Sequence, residues 1–141
     1  IAISIRPDRH SYSLIKNSQQ FVVNVPDLSL VKTTDYCGNV SGKNVDKFKE
    51  TGLSQLPSEK VIPPLISECP INLECTVKQI IPLGTHDLFL GEVIAAHVNE
   101  EVLDERGRID APRAQLLVFW PGKSDYWDLK NKLGIFGFSK K

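Results

Sequence analysis

The 141-residue chain balances 17 lysines and arginines against 17 aspartates and glutamates, so its net charge is zero, and 41% of its residues are hydrophobic. That length suits one ordinary domain with a real core, and the missing basic excess argues against nucleic acid as a partner. No apolar run approaches the ~20 residues of a membrane span and none reads as a secretion signal, so no membrane partner is expected.

The chain opens on IAISI, an apolar strand pattern over residues 1–5, closed by Arg6-Pro7. Proteins seldom begin inside a core strand. Residue 1 therefore reads as an interior point of a longer natural chain, and residues 1–141 as one domain, incomplete at its N-terminus. HSYSLIKNSQQ predicts a short helix with Ser11 as N-cap and Leu14 and Ile15 on its buried side. FVVNVP is a second strand, with Phe21, Val23 and Val25 on one face. Asp27 is placed to cap a helix through DLSLVKTTDY that ends at Cys37-Gly38. SGKNVDKFKETG holds one more short helix, with Val45 and Phe48 three apart and Gly52 as terminator.

From Leu53 the pattern turns to β, and KVIPPLISECP is a proline-broken connection. INLECTVKQII alternates cleanly. Ile71, Leu73, Cys75 and Val77 form the buried set, and Asn72, Glu74, Thr76 and Lys78 the wet one. PLGTH turns into HDLFLGEVIAAHV, a strand apolar on both faces. EEVLDERGRIDAPRA reads as a charged loop, QLLVFW as the last strong strand and PGKSDYWDLKNKLGIFGF as an aromatic-rich tail. Consecutive strands without helical crossovers imply antiparallel pairing. Five or six of them, with short helices inserted early, predict a mainly β chain closed or nearly closed into a barrel.

Cys37, Cys69 and Cys75 are odd in number and contain no CxxC pair. That fits a reducing cytoplasm better than a secreted disulfide framework, and it predicts no metal site. Cys69 and Cys75 read as core residues, because free cysteine packs as a small hydrophobe. His97 reads as structural and His10 as a loop contact. Arg6, Arg9, Ser11, Ser13, Ser41, Lys43 and Lys47 all fall in loops or at helix starts. Such groups suit a phosphate, and they equally suit a solvated surface. His86 either ends a turn or is presented by it.

IAISIRPDRHSYSLIKNSQQFVVNVP, CGNVSGKNVDKFKETGL, LECTV, GTHDLFLGEV and the YWDLKNKLGIFGF tail follow in one order and spacing. This ordered set resembles the flavin reductase-like FMN-binding family in its flavoredoxin branch, over nearly the whole chain. The resemblance implies an FMN-binding split barrel, an antiparallel Greek-key barrel with short inserted helices. It also implies a homodimer with flavin at the subunit interface, and a first strand or strands lying upstream of IAISIRP. Arg6, Ser11, Ser41 and Lys47 match positions near the flavin phosphate, and Cys37 and Gly38 the loop beside the flavin. His86 matches a histidine expected near the isoalloxazine and the nicotinamide. Thr85 stands where the family commonly has aspartate. The activity so implied is FMN-dependent electron transfer from NAD(P)H to a flavin, ferric or protein acceptor. A flavin-binding carrier without nicotinamide turnover and a non-enzymatic interaction barrel are the alternatives.

Overall fold

The computed structural model describes residues 1–140. Chain order is β1 (Ala2–Ile5), α1 (His10–Ser18), β2 (Gln20–Val25), a 3-10 turn (Leu28–Leu30), α2 (Val31–Asn39) and α3 (Lys47–Thr51). There follow β3 (Gln55–Leu56), β4 (Leu65–Ile66), β5 (Ile71–Pro82), β6 (Asp87–Val98), a second 3-10 turn (Glu100–Val102), α4 (Ala111–Ala114), β7 (Leu117–Trp120) and β8 (Asp125–Asp128).

The predicted β class and antiparallel pairing hold. Four strands form one curled sheet in the order β1-β6-β5-β2, half of a barrel. The remaining strands pair as two small ribbons, β3-β4 and β7-β8, instead of joining that sheet. The β5–β6 hairpin is its spine, and β5 slips register between Glu74 and Cys75 and again between Val77 and Gln79. An extra residue on one strand bends it and increases its twist, which is how a flat pair begins to curl. Gly84, with φ of 91°, and a bond from the Leu83 N–H to the His86 carbonyl close the hairpin turn.

Phe21, Leu65, Cys69, Ile71, Cys75 and Phe89 are buried and form the centre of the core. Gly91 belongs there for a packing reason. A Cβ built on it would lie 2.5 Å from Cζ of Phe21. A buried phenyl ring has nowhere to retreat, so only glycine lets β6 lie against it. Cys69 and Cys75 are the expected core thiols. Burial pushes the Cys69 thiol up to about 11 and raises that of Cys75, so both stay protonated.

Several local expectations change. Ser11 does not cap α1; Arg9 takes the extended N-cap position, without a side-chain cap bond, and Ser11 sits inside the first turn. Leu14 is exposed rather than buried, because α1 faces the sheet through Tyr12 and Ile15 and a cleft through Ser11 and Leu14. The α2 helix runs through Cys37-Gly38 to Asn39. Gly52 closes α3 as expected at φ of 72°, whereas Asp27, accepting from the Ser29 N–H, caps the 3-10 turn that leads into α2, and α2 itself, with Leu30 at its N-cap position, has no side-chain cap. The charged stretch after β6 is ordered by a Leu103–Ile109 bridge and by α4, which Asp110 caps.

The largest departure is the wet face predicted for β5. Asn72 and Glu74 are buried. Asn72 accepts from the Ile66 N–H and donates to the Cys69 carbonyl, and loop 59–61 closes over Glu74. Glu74 accepts from the N–H groups of Glu59 (2.8 Å), Lys60 (2.7 Å) and Val61 (3.1 Å). The His97 imidazole, one strand over, donates to the same carboxylate through Nε2 at 2.7 Å. A buried carboxylate is tolerated only when it is satisfied in this way.

Candidate functional site

The first turn of α1, the end of α2 and the loop leading to α3 meet around a cleft of about 560 Å³. Ser11, Cys37, Gly38, Ser41 and Lys47 all line it. These five residues, spread over 37 positions of sequence, are thus brought together. Chain direction explains the meeting. The α1 helix leaves the end of β1, whereas α2 returns from the end of β2 and lays its last turn beside the start of α1.

Two residues of the expected set lie elsewhere. Arg6 does not line the cleft; its guanidinium pairs at 2.8 Å with Asp8, which does. His86 also lies outside it, in the turn before β6, half-buried, with Nδ1 3.0 Å from the Thr85 hydroxyl. It makes no bond to a local carbonyl, and among the described residues Nε2 has no hydrogen-bond partner. Arg6 and His86 nevertheless share one end of the sheet, because Ile5 pairs with Asp87.

The cleft is built for an anion. The α1 helix carries no acidic residue in its first turn and no side-chain cap, so its first amides are left for a ligand. Lys47 opens α3 and donates to the Cys37 carbonyl, clipping the two helices together. An ammonium has three protons, so two remain for another acceptor. The Ser41 hydroxyl oxygen receives the Lys43 N–H at 3.3 Å and keeps its own proton free to donate. Arg9 and His10 complete the wall. Hydroxyls, a helix N-terminus, an ammonium and a guanidinium are the donors a phosphate monoester takes. Asp8 is the one carboxylate in the lining, and Arg6 occupies it. The residues present therefore fit the phosphate of a flavin mononucleotide.

Sequence reasoning gave His10 no role here. It borders the cleft and an adjoining hollow, which Gly42 also lines. A single histidine carries no local signal; only its place at the helix start marks it. Ser13, by contrast, turns away and donates to the His10 carbonyl. Among the described residues no group of three His, Cys, Asp or Glu side chains is placed to hold a metal ion, and no helix is long and apolar enough to cross a membrane.

A family model described as "Flavin reductase like domain" matches residues 1–128. The flavoredoxin of Desulfovibrio vulgaris (Miyazaki F) superposes with a TM-score of 0.91 at 28% identity, over 99% of this chain and 76% of that one. The flavoredoxin of Methanosarcina acetivorans gives 0.90 at 31% identity, over 99% of this chain and 74% of that one. An uncharacterized protein of Archaeoglobus fulgidus is 38% identical over 94 residues, 67% of this chain and 53% of its own length. The chain spans about half the length of the curated relatives it matches. The family match over residues 1–128 and the curled antiparallel sheet agree: this chain belongs to the flavin reductase-like domain family.

Proposed function

We propose that this chain is the FMN-binding domain of an oxidoreductase that moves electrons between NAD(P)H, flavin and an acceptor. The observation that carries the reading is the convergence of Ser11, Ser41, Lys47 and the α1 N-terminus on one cleft. There they would hold the flavin phosphate, with Arg6 acting at one remove by neutralising Asp8. Cys37 and Gly38 form the wall beside it. When bound, flavin supplies the hydride and single-electron chemistry. The protein's share is binding, orientation and the exclusion of water. His86 is the candidate catalytic residue. Its half-exposed ring keeps Nε2 free to donate a hydrogen bond or a proton at the mouth of the sheet.

A homodimer is part of the proposal. Val93, Ile94, Trp120, Trp127, Phe136 and Phe138 are among the exposed apolar side chains. A second copy is the simplest cover for an apolar surface of that extent. Sedimentation of the full natural protein should give a dimer at micromolar concentration; a stable monomer would contradict it.

The purified full natural protein should show a flavin absorbance spectrum that bleaches anaerobically on addition of NADH or NADPH. A flavin that neither nicotinamide bleaches would favour the carrier reading. No flavin, bound or bindable, would leave an interaction barrel.

A further inference from the structure

We infer that Tyr12 and Asp87 form a positioning pair that fixes the phosphate-binding start of α1 relative to the strand carrying His86; this rests on the flavin reading above. Asp87 is only 9% exposed, and its carboxylate receives the Tyr12 hydroxyl proton at 2.6 Å. Among the described residues no other side chain hydrogen-bonds to it. Tyr12 is the third residue of α1, next to Ser11, and Asp87 follows His86 directly. One bond thus joins a neighbour of the cleft to a neighbour of the histidine.

The packing of α1 on the sheet is otherwise apolar near its start. No residue of this helix is fully buried. The Tyr12 ring meets Phe89 edge-on, with centroids 5.5 Å apart. Apolar contact of that kind tolerates sliding, whereas an O–H···O bond is directional and fixes the helix along the sheet. Lys16 closes the outer side, with Nζ 3.4 Å from the Tyr12 hydroxyl and 5.3 Å from its ring centre. Tyr12 itself does not line the cleft. Its effect on a ligand is therefore through placement of Ser11 and the first-turn amides.

The test compares FMN with riboflavin, which lacks the phosphate, on the full natural protein. Tyr12→Phe keeps the ring and removes the bond. It should weaken FMN about tenfold or more and leave riboflavin affinity unchanged, read by quenching of flavin fluorescence. Asp87→Asn keeps an acceptor oxygen and should retain FMN affinity near wild type, whereas Asp87→Ala should lose it. If Tyr12→Phe does not fold, the Asn and Ala variants at position 87 supply the same contrast. Equal losses for the two flavins, or no loss of FMN, would overturn the inference and make the pair merely structural. A wild-type protein that binds neither flavin would sink the flavin reading and the inference with it.

Discussion

Replacing Glu74 by alanine is expected to cost about 3 kcal/mol of folding stability, the upper scale for losing hydrogen bonds to a buried charged acceptor. That is a large fraction of the roughly 5–15 kcal/mol that holds an ordinary domain together. The carboxylate is 0% exposed and is the acceptor for three consecutive loop amides and His97. Alanine would leave all four donors without a partner, and loop 59–61 would lose its anchor to the sheet. Urea denaturation of wild type and variant measures the difference; one below about 1 kcal/mol, the scale of an ordinary exposed change, would contradict the anchoring role. The acid limb carries a second signature. Burial alone would raise the Glu74 pKa, but the Glu59 and Lys60 amides and His97 together hold it below its ordinary value of 4.5. A carboxyl depressed in the folded state contributes its full stability above the unfolded value. It loses that contribution as pH falls through the folded one. Wild type should therefore lose stability below about pH 4.5 more steeply than Glu74→Gln, which has no charge to lose.

Replacing His86 by alanine should slow reduction of bound FMN by a nicotinamide about a hundredfold, the usual worth of a positioned donor or proton-transfer group. FMN affinity should change little, because His86 stands apart from the cleft proposed to hold the phosphate. Stopped-flow reduction of the FMN-loaded variant reads the effect. Two features motivate the expectation. The Leu83–His86 turn fixes the backbone, and the Thr85 hydroxyl holds Nδ1, leaving Nε2 free. A wild-type rate would reduce His86 to the end of a turn.

Much of the frame is visible in the sequence because it depends on local rules. Asp27, Gly52 and Gly84 mark a cap, a helix end and a turn through their own backbone chemistry, and each serves so in the fold. Alternation marks β5 and a run apolar on both faces marks β6, and their pairing makes the hairpin. It misleads at Glu74, since a polar residue opposite a buried face reads as wet. The donors that permit its burial come from residues 59–61, more than ten positions away. Ser11 looks like a cap by residue type, yet Arg9 holds the extended conformation that starts the helix, and this frees Ser11 for the cleft. Ser41 and Lys47 are ambiguous as loop residues. Only the return of α2 alongside α1 makes them walls of one site. Arg6 shares the composition of a phosphate ligand, but the nearby Asp8 captures its guanidinium.

That last distinction sets the most direct test of the cleft. FMN should be titrated into the full natural protein, its Lys47→Ala variant and its Arg6→Ala variant, with flavin fluorescence as the readout. Lys47→Ala should weaken binding roughly ten- to a hundredfold, the loss of one charged hydrogen bond. Arg6→Ala should cost less, because Arg6 reaches the ligand only by neutralising Asp8. Lys47→Ala binding as tightly as wild type would contradict the assignment of this cleft to the flavin phosphate.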